Sequence, residues 1–473
     1  MVPGGGDIIE SMKAAPQTNA VREAIPLSAT SEFAMIVPRE RLLLWAALTL
    51  PFAALGAAVP AGTALAVAYT LALALVAVID ATQARVSLRG ITTKLPEVVR
   101  LSKDREGIIP VQINNVGMKG RALRVGLPFP DEIRSSQESF DVALPEGAAD
   151  SRFNWPCTAD TRGNYPIQRC YLETPSPLGF WNVRKSAAVH CEIRVYPNLF
   201  DERKRLAAFF LNRGNFGVHA QRMVGQGREF EKLREYIPGD SYDQIHWKAT
   251  AKRGRPVTKV FQIERTQEVY VILDASRLSA KTLNGETTLE HFIIAALVMG
   301  LVAEQQSDLF GLLAFNDRVG SFVRAKNGKA HYHACRDALY TLHPKIVTPD
   351  FEEVCSFIRL RLRRRALLVF LTDLSDPVLA ESFARGIDLI CRQHLVVVGM
   401  VKSELAGPLF HKSEADRLDG IYQKLGAHLL WRHLRELSQS LQHHGVRLLQ
   451  LDDDKLSAQL VSEYLRVKQR QLL

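Results

Sequence analysis

The chain has 473 residues, 47% of them apolar, enough for two or three packed domains, which excludes a disordered polymer as its main state. Lys and Arg number 60 against 50 Asp and Glu, a net charge of +10 that favours anionic partners such as lipid headgroups, nucleic acid or an acidic protein face. The six cysteines, Cys157, Cys170, Cys191, Cys335, Cys355 and Cys391, fall at wide, irregular spacings without a CxxC, which excludes a zinc knuckle and predicts reduced, buried thiols.

Residues 1–37 mix Gly, Pro, Ser and charge without period and predict a flexible tail. From Leu42 to Ile79 there is no charged residue, and Pro60-Ala61-Gly62 divides the run into two apolar halves. At about 1.5 Å per residue each half nearly spans a hydrocarbon core of roughly 30 Å, so residues 38–84 predict a two-helix transmembrane hairpin. The run is too long for a signal peptide and is preceded by a tail. Arg39 and Arg41 flank it on one side and Arg85 and Arg89 on the other, while the connection carries no cation. The positive-inside rule then puts both termini in the cytoplasm, with most of the chain on that face.

Residues 85–200 hold short β-branched runs broken by Gly, Pro and Asp, such as GIIPVQINN and SFDVALP, and predict a small β-sandwich. Within it, Arg162-Gly-Asn-Tyr165 and Ser176-Pro-Leu-Gly-Phe-Trp181 read as tight turns whose aromatics cap the core. Residues 201–267 read as a linker, with a basic helix over Asp201–Gly214 and a charged, aromatic segment after it. From 268 to 473 the pattern alternates. Strands are expected at 268–274, 308–315, 366–372, 394–400 and 446–451, with helices near 286–304, 329–342, 350–363, 377–391, 421–444 and 455–469. That alternation predicts an α/β fold, a mostly parallel Rossmann-type sheet with helices on both faces.

In such a sheet ligands gather at the carboxyl ends of the strands, and two strands end in Asp274-Ala-Ser276 and Thr372-Asp373. Thr348 precedes an acidic helix start. Asp274, Ser276, Thr348 and Asp373 together resemble the DxSxS, Thr, Asp set of von Willebrand factor A-like domains, which holds a hard cation such as Mg²⁺ through carboxylate, hydroxyl and water oxygens. Leu278 stands where that pattern has its second serine, which weakens the metal reading. The other reading is that these groups cap helices and satisfy loop backbone.

The stretch from Gly227, GREFEKLREYIPGDSYDQIHWKATAKRG, is the most specific signal. Asp240, with Asp243 three residues on, predicts the N-cap of a helix carrying Ile245, Trp247, Ala249 and Ala251, and residues 256–263 alternate like a strand. Gly227, Phe230, Leu233, Arg234, Tyr236, Gly239, Asp240, Ile245, Trp247 and Ala251 fall on the pattern G-x-x-F-x-x-L-R-x-Y-x-x-G-D-x-x-x-x-I-x-W-x-x-x-A-R, with Lys252 at the last position. The segment thus resembles the bacterial domain-of-unknown-function family fifty-eight, and RGNY, SPLGFW and the apolar hairpin extend the resemblance over roughly 40–400. The resemblance implies a protein anchored in the bacterial inner membrane, with a degenerate von Willebrand A-like domain. It also implies action beside a MoxR-type AAA+ ATPase in assembling or activating other proteins. Arg234, Tyr236, Gly239, Asp240 and Trp247 then either lock the segment onto the α/β domain or form a docking surface for the partner.

A membrane-tethered scaffold or adaptor without enzymatic activity is the expected function. Its rival is a metal-dependent hydrolase or nuclease using Asp240, Asp243 and His246 on an anionic substrate, which would need carboxylates set for metal ions about 3.5 to 4 Å apart. The basic run Arg359–Arg365 suits a solvated helix end without a ligand, and no specific nucleic acid is expected. His331, His333, His443 and His444 lack a third ligand at metal spacing, and no phosphate-loop motif is present.

Overall fold

The computed structural model describes residues 35–58, 60–117, 120–200, 202, 204–205, 207, 224–225, 229–238, 241–262, 267–283, 285–403, 406–408 and 418–470. The tail over 1–34 and nearly all of the expected basic helix over 201–214 lie outside them. The end of that expected tail is structured: β1 (Met35–Pro38) pairs antiparallel with the last strand of the sandwich. The apolar run follows as α1 (Glu40–Ala47), α2 (Thr49–Ala58) and α3 (Pro60–Ser87). Its first half is therefore two helices rather than one, separated at Leu48, with Pro51 in the first turn of α2 where a missing N–H is tolerated. Phe52 stacks on Tyr69 at 4.9 Å and the Tyr69 hydroxyl donates to the Trp45 carbonyl at 3.0 Å, so α2 lies along α3. The 28 residues of α3 extend about 42 Å. Within it Gly62–Ala84 has a mean hydropathy of 2.2 and is mostly exposed, so it is long and apolar enough to cross a membrane.

Two antiparallel-rich sheets follow. The strands in chain order are β2 (Ile91–Lys94), β3 (Val98–Ser102), β4 (Glu106–Asn115), β5 (Arg121–Gly126), β6 (Ile133–Arg134), β7 (Ser139–Leu144), β8 (Asp150–Ala159), β9 (Gly163–Pro175) and β10 (Trp181–Tyr196). One sheet has the order β1-β10-β9-β5-β7, with β3 parallel to β10, and the other β2-β4-β8-β6. Alternating side chains such as Ile109, Val111, Ile113, Leu172, Val183 and Ile193 meet between them. Trp155 is fully buried against Phe129, Phe140 and Phe153, and its indole donates to the Ser135 hydroxyl at 2.9 Å.

The C-terminal end of α3 belongs to this core, since Ala84 and Leu88 are buried in it. Asp80, fully buried, accepts from Ser176 Oγ at 2.6 Å, Leu178 N at 3.0 Å and Phe180 N at 3.3 Å, and the Trp181 indole donates to the Ala77 carbonyl at 2.9 Å. The Ser176–Trp181 turn thus grips the helix instead of capping the sandwich core.

A three-stranded antiparallel sheet then combines β11 (Val224–Gly225), β12 (Glu229–Glu235) and β13 (Val257–Gln262), enclosing α4 (Trp247–Arg253) in sequence. The α/β unit begins with β14 (Glu268–Asp274), a two-residue pair β15 (Thr282–Leu283) and β16 (Glu286–Thr287), α5 (Thr288–Gln305), β17 (Leu309–Phe315) and β18 (Val319–Lys326). It continues with α6 (Lys329–Leu339), α7 (Phe351–Arg361), β19 (Leu367–Leu371), α8 (Pro377–Ile387), β20 (Leu395–Val401), α9 (Leu418–His443), β21 (Arg447–Leu451) and α10 (Leu456–Gln469). The sheet order is β18-β17-β14-β19-β20-β21, parallel throughout except for the β17–β18 edge. Helices α5, α6 and α10 cover one face and α7, α8 and α9 the other, each over its own core. Helix α5 is apolar enough to resemble a membrane span, but it is largely buried against β14 and β17 as a core helix. Five of the cysteines are buried and all are free, and burial pushes the Cys335 and Cys355 thiols up to about 12.

The sandwich and the α/β unit are joined by Arg162. Its side chain is 1% exposed, its Nε donates to Glu290 Oε1 at 2.5 Å, and Nη1 donates to the carbonyls of Leu339 and Tyr340 at 3.0 and 3.2 Å. Those carbonyls close α6, where the exposed end of the helix dipole favours a cation. Gly163 has φ +155°, and a Cβ there would press on the Tyr165 ring at 3.2 Å, so glycine lets the chain turn directly after the arginine. Around this joint Arg336 sits 3.9 Å over the Tyr196 ring, and Lys103 Nζ meets Glu286 at 2.6 Å. Arg162→Met should cost about 3 to 5 kcal/mol in denaturant unfolding, because it leaves Glu290 buried without its cation, and Arg162→Met with Glu290→Met should recover much of that. A loss below about 1 kcal/mol, typical of an exposed pair, would contradict the joint.

Candidate functional site

The parallel order places the ends of β14 and β19 side by side, so Asp274 and Thr372-Asp373 share the carboxyl edge of the sheet. Asp274 is fully buried. Its Oδ1 accepts from Ser276 N at 2.8 Å and its Oδ2 from Thr372 Oγ at 2.6 Å. Burial, opposed by these hydrogen bonds and reinforced by the charge of Asp373, pushes its carboxyl above the ordinary aspartate range. Ser276 turns its hydroxyl back to accept from Leu278 N at 3.3 Å and caps a short 3₁₀ turn over Arg277–Ala280. Asp373 Oδ1 accepts from Ser375 N at 2.9 Å and from the Ser375 hydroxyl, and its Oδ2 receives the Lys281 ammonium.

All four residues expected to hold Mg²⁺ lie along this edge: Asp274, Ser276 and Asp373 close it, and Thr348, exposed, follows Val347, whose carbonyl accepts from Arg277 N at 3.0 Å, and precedes Asp350, the N-cap of α7. Leu278, at the position of the missing hydroxyl, is buried in the core below. A divalent ion of this type needs about six oxygen ligands. Here the Lys281 ammonium already stands at Asp373 Oδ2 and Leu278 brings no oxygen, so with the lysine in place the donor set does not fit that ion. Asp274, Ser276 and Asp373 also accept from backbone N–H groups of their own loops. Among the described residues no group of three or more His, Cys, Asp or Glu side chains converges in metal-binding fashion. Lys281 and Ser375 were not legible as members of this edge, since nothing in their spacing marks them.

The second candidate is the segment over 227–264. Gly239 and Asp240 lie outside the described residues, as does Gly227. The helix expected from Asp240 starts later: a 3₁₀ turn covers Tyr242–Gln244, and α4 is capped by His246, whose Nδ1 accepts from Ala249 N at 3.0 Å. Tyr236 N donates to the Pro256 carbonyl at 3.0 Å and His246 N to the Val257 carbonyl at 2.8 Å, so the start of β13 holds both flanks of the segment together. Ile245 is buried there. Trp247 is 70% exposed and α4 buries none of its residues, so of the two readings of the segment the one that locks it onto the α/β unit draws no support from this tryptophan. Ile237 and Tyr242 are also exposed, and Tyr242 stacks on Tyr236 with 6.1 Å between ring centroids. Arg234 is half-buried in β12, and Arg255 pairs with Glu235 at 2.6 Å on the surface.

Residues 232–406 match the model of the family described as "Protein of unknown function DUF58". No curated protein matches the chain. Among solved structures, a crystal structure of the SpRpn10 VWA domain is 10% identical with a TM-score of 0.27, covering 42% of this chain and 95% of that one. Proximal thread matrix protein 1 from the mussel byssus is 13% identical with a TM-score of 0.25, covering 43% and 45% of the two chains. A protein of unknown function from Porphyromonas gingivalis W83 is 16% identical with a TM-score of 0.17, covering 23% and 49%. This chain spans about half the length of each of the last two.

Thr372→Val keeps the shape of the side chain and removes the donor to a fully buried carboxylate oxygen, so it should cost about 1 to 3 kcal/mol in unfolding experiments. Thr372→Ser should recover most of that. Equal stability of wild type and Thr372→Val would mean that Asp274 is not held as described.

Proposed function

We propose that this chain is a membrane-tethered scaffold whose family segment docks a protein partner. The observation that carries the proposal is the exposed set Ile237, Tyr242 and Trp247, standing on a backbone frame fixed by β13 and by Ile245. Monomeric domains rarely keep large aromatics exposed together without use, and tryptophan and tyrosine are the side chains most often dominant at interfaces. The partner class suggested by the family resemblance is a MoxR-type AAA+ ATPase. The sheet is of von Willebrand A-like type in this reading and serves as the rigid body that presents the docking segment.

The tether is α2 with α3, inserted as a hairpin in the bacterial inner membrane with the sandwich on the cytoplasmic side. Support comes from the exposed apolar length of α3 and from Asp80, whose buried carboxylate fastens the end of that helix to the Ser176–Trp181 turn. A sandwich gripped in this way sits directly at the membrane surface. The hydrolase alternative draws no support from His246, whose Nδ1 is occupied in capping α4, and Asp243 has no acidic or histidine cluster around it among the described residues.

Trp247→Ala and Tyr242→Ala should each change stability by no more than about 0.5 kcal/mol, as exposed positions do. In pull-downs from detergent-solubilised membranes the double variant should lose capture of the ATPase at least tenfold, the loss expected for interface anchors worth about 2 kcal/mol or more. Undiminished capture by the double variant would overturn this docking surface.

A further inference from the structure

We infer that Lys281 is the resident cation of the sheet edge, its ammonium standing at Asp373 where a divalent ion would otherwise be required, so that the edge is assembled without metal. The inference is independent of the docking proposal. It starts from the backbone: Ser276 caps the 3₁₀ turn Arg277–Ala280, and Lys281 leaves that turn extended, with its carbonyl accepting from Thr288 N at 2.8 Å and Thr288 Oγ at 3.0 Å. The two bonds to the start of α5 fix the root of the lysine beside the carboxyl ends of β14 and β19.

From that root the side chain reaches Asp373, whose carboxylate is largely buried and whose other oxygen is held by Ser375. An ion from solution would have to shed part of its hydration and displace an ammonium already tethered within the same loop, which acts at a high effective concentration. What keeps an ion out is therefore the ammonium itself, since the other oxygens of the edge stay in place. Ser276 Oγ accepts from Leu278 N at 3.3 Å, and Thr348 follows Val347, whose carbonyl accepts from Arg277 N at 3.0 Å, so two hydroxyls remain along the edge while Leu278 offers no oxygen. Lys281 itself is 58% exposed, so its remaining N–H donors face solvent.

The test uses the full-length protein in detergent, titrated with Mg²⁺ and separately Mn²⁺ up to about 10 mM while its melting temperature is followed, since any ion bound only by the folded state raises it by mass action. Wild type should show no metal-dependent rise. Lys281→Met should gain a rise of a few degrees, and Lys281→Met with Asp373→Asn should lose it again. Lys281→Gln, which keeps a polar side chain, serves if the methionine variant folds poorly, and should behave in the same way. Two results overturn the inference: a metal-dependent rise in wild type that the Lys281 variants do not increase, or no rise in either variant, which would mean that lysine is not filling a cation position.

Discussion

The architecture depends on one buried cation. Arg162 leaves the sandwich, enters the α/β unit almost without solvent contact, and there finds a carboxylate on α5 and two carbonyls at the end of α6. Desolvation pulls its guanidinium below the ordinary arginine range, opposed by Glu290, so the site tolerates the charge only because the partners are in place. An ion pair of this kind is weak evidence for stability and stronger evidence for a fixed geometry, because few other arrangements of the two units would satisfy all three acceptors at once.

The same logic recurs towards the other end of the chain. Asp80 is an acid on an apolar helix, and it is accommodated because the Ser176–Trp181 turn surrounds it with a hydroxyl and two backbone N–H donors. Two buried charges, one negative at the helix and one positive at the α/β unit, therefore hold the sandwich between them. Through this chain of contacts the orientation of α3 is coupled to that of the sheet. Strand β13, just before the sheet begins, holds the exposed aromatics of the family segment.

How much of this was legible follows from which forces were local. The strand and helix alternation after 268 was readable because continuous apolar runs such as Val269–Leu273 and Leu367–Leu371 bury on both faces and need no partner to identify them. The antiparallel edge Val319–Lys326 was missed, since its mixed sequence VGSFVRAK is a strand only beside β17. The helix start was misplaced because His246, rather than Asp240, supplies the cap. Trp247, Ala249 and Ala251 are spaced by two, which does not gather on one helical face, and this explains why the short helix leaves the tryptophan outside. At the sheet edge Asp274, Ser276 and Asp373 were found by pattern. Lys281 and the Arg162–Glu290 pair were not, because contacts across 92 and 128 residues leave no local signature.

The family model covers only 232–406, so the sandwich and the apolar helices take their meaning from contacts within this chain. The central claim is that the surface around Trp247 meets a protein partner at the membrane. Its most direct test places a photo-crosslinking residue at position 247 of the full-length protein in native membranes, with position 346 on an equally exposed loop as the reference. The account predicts a discrete adduct with an AAA+ ATPase from position 247 and none from 346. Adducts to lipid alone from position 247, or the ATPase adduct from 346 only, would contradict it.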